Sequence, residues 1–242
     1  MTTFMNNKTK SAGFTFKQFH VSHDKCAMKV GTDGILLGAW ASLQGNRYLD
    51  LGTGSGLIAL MLAQRTQTDC HITGVEIDPS AYRQATENVR QSPWADKIQL
   101  EQQNIVDFTR TCTKKFDTVL SNPPYFEQGV DCRDKQRDTA RYTQTLSHSD
   151  WLNLAADCLT NTGRIHLILP YAAGKNLQKQ TALFCARCCE VITKSGKIPQ
   201  RLLLTFSKQP CTTEQSRLVV YNEQNQYTEQ FIALTRDFYL NF

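Results

Sequence analysis

The chain has 242 residues, a formal net charge of +5 and nine cysteines. This length is sufficient for one large α/β domain, or for a domain with a small extension, whose core needs no disulfide or metal for stability. The sequence has no run of about 18 apolar residues, which argues against a membrane span. Residues 1–13 lack the apolar centre of a secretory signal, so we expect a cytosolic protein.

Strand-like and helix-like segments alternate along most of the sequence. The predicted strands are 47–52, 70–77, 97–104, 116–122 and 163–170. The predicted helices are 55–65, 79–91 and 149–160, the last capped by Ser149 or Asp150, and a further helix at 174–189 precedes a closing hairpin. This alternation with a final antiparallel pair predicts an α/β fold, a mostly parallel sheet covered by helices on both faces.

The two ends of the chain fall outside this alternation. We expect residues 1–44 to form a short cap that includes a helix at 33–41. Residues 45–242 are predicted to form the main domain, which ends in an extension of one strand and one helix. The sequence shows no internal repeat, low-complexity tract or linker, so we predict one domain.

The cysteines and histidines do not predict a metal site. Cys185 and Cys188 form the only CxxC pair, and a four-ligand zinc site would need a second pair. The apparent helical periodicity around Cys185, Cys188 and Cys189 predicts reduced cysteines that pack against the sheet. His20, His23 and His148 lack the spacing of metal ligands and are interpreted as surface or packing residues.

The stretch LDLGTGSGLIAL, residues 49–60, contains the first functional pattern. Gly52, Gly54 and Gly56 lie where the first main strand turns into a helix, so the backbone can approach a ligand and expose amides at the helix N-terminus. A dinucleotide site would read G-x-G-x-x-G, whereas here the spacing is G-x-G-x-G after Asp50. An acid in the turn is unfavourable for phosphates and favourable for a ligand that carries an ammonium and a sulfonium group.

Polar residues also follow the next two predicted strands. Glu76 stands 20 residues after Gly56, where a carboxylate can accept both ribose hydroxyls of an adenosine. Asp78 is an alternative for that role, although its place before Pro79 is more typical of a helix cap. Asn104 and Ile105 can offer an amide and an apolar wall to an adenine ring. The set predicts a cleft for S-adenosylmethionine at the carboxyl ends of parallel strands.

The glycine turn and the acid of the second strand resemble those of the class I methyltransferase superfamily over residues 45–208. The resemblance implies a Rossmann-like sheet of seven strands with helices on both faces. It also implies cofactor-binding residues, namely Asp50, Gly52, Gly54, Gly56, Glu76, Ile77, Asn104, Ile105 and Asn122.

The stretch NPPYF, residues 122–126, follows the fourth predicted strand and carries the predicted chemistry. A conjugated amine is a poor nucleophile because its lone pair is delocalised. The Asn122 side-chain oxygen and the Pro123 carbonyl can accept its two hydrogens and favour a pyramidal nitrogen. Pro123 and Pro124 restrict the backbone, so these acceptors are preorganised. Tyr125, backed by Phe126, offers a face on which a planar target can stack.

The motif resembles the N-P-P-Y of methyltransferases that act on the exocyclic amine of adenine or on the glutamine amide. Both substrates present a flat NH₂ group, so the motif cannot choose between them. The alternatives therefore include methylation of ribosomal RNA, DNA or a protein glutamine. A non-catalytic RNA-binding or cofactor-sensing protein is a rival of another class, but binding alone has no use for paired acceptors at the methyl position.

Longer stretches narrow the choice. FTFKQFHVSHDKCAMKVGTDGILLGAWA (14–41) and RDTARYTQTLSHSDWL (137–152), taken with the two motifs above, resemble the bacterial tRNA1(Val) (adenine(37)-N6)-methyltransferase family. The resemblance implies that an anticodon-loop adenine of tRNA is methylated with S-adenosylmethionine. The sequence itself indicates no metal, no membrane and no obligate protein partner.

The same resemblance assigns further residues. Lys29 and Thr32 belong to a lid, KVGTDG, that would pass over the cofactor near its methionine end. Asp33 is either a contact of that lid or the cap of a helix that begins at Gly34. Arg137 and Arg141 would flank the path of an RNA phosphate.

Three clusters of basic residues are consistent with an RNA partner. They comprise Lys8, Lys10, Lys17, Lys25 and Lys29; Arg133, Lys135, Arg137 and Arg141; and Lys194, Lys197, Arg201 and Lys208.

Overall fold

The computed structural model describes residues 12–26, 28–67, 69–124 and 146–242. The strands are β1 Gly13–Thr15, β2 His20–Ser22, β3 Arg47–Leu51, β4 His71–Glu76, β5 Ile98–Gln102, β6 Phe116–Ser121, β7 Leu159–Pro170, β8 Phe184–Lys194, β9 Arg201–Ser207 and β10 Glu214–Tyr221. The α-helices are α1 Thr32–Trp40, α2 Leu57–Arg65, α3 Pro79–Arg90, α4 Ile105–Thr111, α5 His148–Cys158, α6 Tyr171–Gln180 and α7 Glu229–Thr235.

The predicted α/β class with a mostly parallel sheet is confirmed. Eight strands form the main sheet in the order β10-β8-β9-β7-β6-β3-β4-β5, and β9 alone runs antiparallel to its neighbours among these strands. Seven strands were expected from the resemblance. The eighth is β10, which the C-terminal extension contributes by pairing parallel to β8 at the sheet edge.

Two apolar layers cover the two faces of this sheet. One layer packs α1, α2, α3 and α7 against it, and the other packs α4, α5 and α6. In β9, Leu202 and Leu204 contribute to the second layer and Leu203 to the first, as the two-residue period of a doubly buried strand requires. Because β3, β4, β5 and β6 are parallel, their carboxyl ends meet at one edge of the sheet.

The predicted helix at 174–189 was wrong in its second half. The helix α6 ends at Gln180, and strand β8 begins at Phe184. A β-bulge between Cys185 and Arg187 interrupts the two-residue alternation of β8, so its pattern resembles a helical one. Cys188 and Cys189 are buried on opposite faces of the sheet, and burial raises the pKa of both thiols, so they pack as neutral side chains.

The cap shares its core with the main domain. The strands β1 and β2 form a small antiparallel hairpin, and Phe16 and Phe19 between them stack with ring centroids 4.5 Å apart. Helix α1 packs on α2 and α7. The Lys17 ammonium donates to the backbone oxygens of Arg236 and Phe242, which ties the cap to the C-terminus.

Candidate active site

The glycine turn joins β3 to α2, and all three of its glycines have left-handed backbones. The φ angles are +74° at Gly52, +57° at Gly54 and +82° at Gly56. A side chain would be strained at each position. The turn's amides differ from the expectation, since the N–H groups of Gly52 and Thr53 donate to Val75 O and that of Gly54 donates to Glu76. The glycines therefore shape the turn, and their contact with a cofactor stays a prediction.

Asp50 lies beneath this turn with no exposed surface. Its Oδ2 accepts from the Thr53 hydroxyl at 2.5 Å and from the Ala59 N–H at 3.2 Å. Its Oδ1 is buried and has no hydrogen-bond partner among the described residues. Burial raises the pKa of Asp50 from 3.8 to about 7, against the smaller lowering effect of these hydrogen bonds. Asp50 organises the turn, and its contact with a cofactor stays a prediction.

The buried carboxyl of Asp50 and the buried imidazole of His166 should change the free energy of unfolding in opposite directions as pH rises. Between pH 4 and 7 the folded Asp50 keeps a proton that the unfolded chain releases, so its contribution falls as pH rises. Burial lowers the pKa of His166 from 6.5 to about 3, so below pH 6.5 only the unfolded chain binds that proton, and this contribution rises with pH.

We therefore expect Asp50→Asn to gain stability relative to the unchanged protein as pH rises from 4.5 to 7. The gain should reach at most about 1.4 kcal/mol per pH unit, the value for one proton. Thermal melting across that pH range checks this. Asp107→Asn, at an exposed position of α4, is the control and should track the unchanged protein. A pH-independent difference for Asp50→Asn would contradict the buried protonated carboxyl.

Glu76 ends β4 beside the glycine turn and is 9% exposed. Its two carboxylate oxygens accept from the Gly54 N–H at 2.9 Å and from the Asp78 N–H at 2.8 Å. Burial is the main cause of its raised pKa. Ile77, the next residue, is half-buried.

Two neighbouring residues cap helices. The interpretation of Asp78 as a cap is confirmed, because its Oδ1 accepts from the N–H groups of Ser80 and Ala81 at 2.9 and 2.7 Å. Asn104 caps α4, where its side-chain oxygen accepts from the Val106 N–H at 2.8 Å. The amide nitrogen of Asn104 is thus the end left for a ligand, and Ile105 beside it is buried.

The cap passes over the glycine turn and encloses a cleft of about 400 Å³, called the cofactor cleft below. Its lining residues are Met28, Lys29, Val30, Gly31, Thr32, Asp33, Gly34, Gly52, Thr53, Gly54, Ser55, Leu57, Ile58 and Asn122. The cleft brings together four predicted cofactor residues, Lys29, Thr32, Gly52 and Gly54, with Asn122 of the predicted catalytic motif. Gly56 caps α2 next to it.

The cap interpretation of Asp33 was wrong. Helix α1 begins at Thr32, and Gly31 occupies the N-cap position, so Asp33 lies inside the first turn. Its Oδ2 accepts from Arg201 Nε at 2.9 Å, which links the cleft to the start of β9.

Asn122 directly follows β6 at the floor of the cleft. Its Oδ1 is buried and has no hydrogen-bond partner within the part of the chain that the structure describes. Its Nδ2 lies 4.0 Å from the Met28 sulfur. Pro123 is buried and Pro124 half-buried. An unpaired buried amide oxygen is costly unless a ligand donates to it, so this atom fits an acceptor for a substrate amine.

A hydrogen-bond relay that sequence reasoning missed supports this position. The Trp151 indole N–H donates to Ser121 Oγ at 2.8 Å, and Ser121 Oγ donates to Leu51 O at 2.6 Å. A Cβ at Gly52 would meet the Trp151 ring at 3.4 Å. The relay thus joins the residue before Asn122 to the residue before the glycine turn. The contacts span 30 and 70 positions, and no local pattern indicates them.

The predicted cap of α5 was wrong, and the predicted substrate-binding residues are not tested. Helix α5 is capped by Ser147, in a capping box with Asp150, and not by Ser149 or Asp150 as expected. Tyr125, Phe126, Arg137 and Arg141 lie outside the described residues, so their predicted roles are untested, as are those of Lys8, Lys10, Arg133 and Lys135.

Several of the remaining basic residues are engaged within the protein. Lys25 pairs with Glu87 at 2.8 Å, Lys194 donates to Asn225 at 2.7 Å, and Lys208 donates to Leu159 O at 2.9 Å. Lys197 is exposed on the turn between β8 and β9. Since β8 runs parallel to β7 and β6, this turn lies at the same sheet edge as the cofactor cleft.

Metal and membrane features can be stated for the described ranges. Among these residues no group of three or more His, Cys, Asp or Glu side chains could hold a metal ion. Within the same ranges no helix is both long and apolar enough to span a bilayer.

Comparisons with known proteins agree with this geometry. A family model described as a methyltransferase domain matches residues 42–223. A tRNA1(Val) (adenine(37)-N6)-methyltransferase of Histophilus somni (strain 129Pt) is 61% identical over 234 residues, which cover 96% of this chain and 99% of that protein. Its counterpart in Pasteurella multocida (strain Pm70) is 58% identical over 234 residues, with the same coverage of 96% and 99%.

Solved structures share the fold at lower identity. A protein described as a predicted O-methyltransferase from Agrobacterium tumefaciens matches with a TM-score of 0.67 and 16% identity. The match covers 85% of this chain and 96% of that chain. At this identity the likeness concerns the fold alone.

Proposed function

Because the chain belongs to the tRNA1(Val) (adenine(37)-N6)-methyltransferase family, we propose that it methylates N6 of adenine 37 in the anticodon loop of tRNA1(Val). The methyl donor is S-adenosylmethionine. The single structural observation that carries the proposal is the unpaired, buried Oδ1 of Asn122 at the floor of the cofactor cleft. An exocyclic amine supplies the N–H that this oxygen lacks.

The cleft fits the methionine end of S-adenosylmethionine. Gly54 faces open space, since a Cβ there would have no atom within 4 Å. Leu57 and Ile58 supply apolar surface to the cleft, and Asp33 lines it with a carboxylate. We infer that Glu76, at the adjacent strand end, accepts ribose hydroxyls through the lone pairs that its bonds to the Gly54 and Asp78 N–H groups leave free. When bound, the cofactor supplies an electrophilic methyl group on a sulfonium.

The chain's own contribution to the reaction is to hold the acceptor amine. Asn122 Oδ1 accepts one N–H, and the Pro123 carbonyl accepts the other, which favours the pyramidal nitrogen that can attack. The two prolines and the Trp151–Ser121 relay fix these acceptors, so they need not reorganise during the reaction. A strong general base is not required, because the amine becomes acidic as the new bond forms.

The RNA is expected to approach the edge of the sheet where the strands end. The net charge of +5 favours a polyanionic partner, and Lys197 is exposed at this edge. An unpaired loop adenine reaches such a cleft more easily than a paired one, because a duplex must first be unstacked at a cost of a few kcal/mol.

The test uses purified protein, cofactor labelled in its methyl group, and tRNA from a strain that lacks the gene. We expect label in tRNA1(Val), N6-methyladenosine after digestion, and RNA binding that weakens as salt is raised. A tRNA1(Val) transcript with guanine at position 37 is the matched control and should stay unlabelled. Label in ribosomal RNA, duplex DNA or a protein glutamine, with tRNA1(Val) untouched, would overturn the proposal.

A further inference from the structure

Met28 is the residue of the cap that reaches the catalytic turn. The residue is 51% exposed although its side chain is large and apolar, and it lines the cofactor cleft. Its sulfur lies 4.0 Å from Asn122 Nδ2. The sequence resemblance implied a lid over the cofactor, but it gave no role to a contact between the lid and the Asn122 amide.

The chemistry of this contact selects one orientation of the amide. A thioether sulfur carries no hydrogen and can only accept, whereas the Asn122 side chain has a donating nitrogen and an accepting oxygen at nearly the same distance from the backbone. A sulfur on one side therefore favours the nitrogen there. The oxygen is then left on the other side, where it has no partner among the described residues.

We propose that Met28 is a positioning residue that acts through Asn122. By accepting from Nδ2 it keeps Oδ1 directed at the substrate amine. In the flipped amide an N–H would face the N–H of the substrate, and neither group could accept. The inference deepens the proposed function and rests on it, since it concerns the same acceptor site.

The backbone on both sides of Met28 is anchored, which gives its side chain a fixed origin. On one side, Val30 N–H donates to His23 Nδ1 at 3.0 Å. On the other, Lys25 N–H donates to the buried Gln84 side chain at 3.2 Å. Asn88, on the same helix, accepts from the Ser22 N–H at 3.0 Å through its Oδ1 and donates to Ser22 O at 2.8 Å through its Nδ2.

Asn88 also donates to Ser55 O at 2.8 Å, so helix α3 holds the cap and the glycine turn in one frame. The distance from the cap to the turn is thereby set independently of the flexible methionine side chain. A change at Met28 should consequently leave the backbone of the lid and of the glycine turn in place.

The test compares Met28→Leu, which keeps the apolar bulk and removes the acceptor, with Met28→Ala, which removes both. We expect Met28→Leu to lower the single-turnover rate of tRNA methylation about two- to fivefold, as one weak hydrogen bond would. Because leucine keeps the apolar bulk that lines the cleft, Met28→Leu should change the affinity for S-adenosylmethionine less than it changes the rate. In an Asn122→Ala background the same substitution should have no further effect, because the amide on which it acts is gone.

Two results would overturn the inference while the proposed function stood. One is that Met28→Leu methylates tRNA as fast as the unchanged protein while Met28→Ala is slower. This result would mean that Met28 contributes only apolar bulk to the cleft. The other is a loss from Met28→Leu that persists undiminished in the Asn122→Ala background. Unchanged protein that fails to methylate tRNA1(Val) would overturn both the proposed function and the inference.

Discussion

Asn122→Ala should lower the single-turnover rate of methyl transfer by at least about a hundredfold and leave the affinity for S-adenosylmethionine nearly intact. The substitution removes the buried, unpaired Oδ1, which we propose as the preorganised acceptor for the substrate amine. It leaves the glycine turn untouched, because the relay that supports that turn runs through Ser121 and not through Asn122.

Rapid mixing of saturating enzyme and cofactor with labelled tRNA1(Val) measures the chemical step, and calorimetry measures cofactor binding. Asn161→Ala is the matched control, since Asn161 is exposed on β7 at the opposite edge of the sheet. It should behave as the unchanged protein does. A loss of less than about fivefold for Asn122→Ala would mean that the residue only shapes the turn.

The sequence was sufficient for those parts of the site that depend on backbone conformation. Positive φ angles at Gly52, Gly54 and Gly56 make glycine the favoured residue there, so the G-x-G-x-G pattern predicts the turn from the sequence alone. The helix cap of Asp78 before Pro79 is equally local. The family resemblance, which rested on these motifs and on the lid, is confirmed by relatives 61% and 58% identical over nearly the whole chain.

Local sequence patterns could not predict which polar groups from distant segments form hydrogen bonds with each other. The amides of the glycine turn were expected to face a ligand, but parallel pairing brings Val75 O and Glu76 within their reach. The bonds of Asp50 to Thr53 and Ala59, which hold it under the turn, were likewise not predicted from the sequence. Both outcomes depend on which strand lies next to β3.

The misassigned helix has a different cause. In β8 the bulge near Cys185 shifts the side-chain alternation by one residue, and both faces of the strand are covered. A buried strand with a broken period offers neither the alternation of a strand nor a clear polar face. Only the pairing of β8 with β9 and β10 distinguishes it from a helix.

Glu76→Ala should weaken the binding of S-adenosylmethionine about ten- to a hundredfold. Hydrogen bonds from ribose hydroxyls to a charged acceptor contribute roughly 1.5–3 kcal/mol, which corresponds to that range. Glu76 also accepts from the Gly54 N–H at 2.9 Å, so the variant loses a contact that shapes the turn. Glu76→Gln keeps an oxygen that can accept from the Gly54 N–H, but its NH₂ group then faces the Asp78 N–H, so this variant loses the charge together with one backbone contact.

The pH dependence of cofactor affinity gives a second measure of the same group. Burial raises the pKa of Glu76, and a protonated carboxyl is a weaker acceptor for two hydroxyls. The affinity of the unchanged protein should thus fall as pH is lowered through that raised pKa. For Glu76→Gln, which has no carboxyl to titrate, this part of the pH dependence should be absent.

Asp78→Ala is the matched control for Glu76→Ala, since Asp78 was the alternative ribose contact and lies two residues away. It removes the cap of α3 and should lower the free energy of unfolding by about 1 kcal/mol without weakening cofactor binding. Calorimetry and thermal melting on both variants decide between the two carboxylates. Unchanged affinity in folded Glu76→Ala, with weakened binding in Asp78→Ala, would transfer the ribose contact to Asp78 and leave Glu76 as a support of the glycine turn.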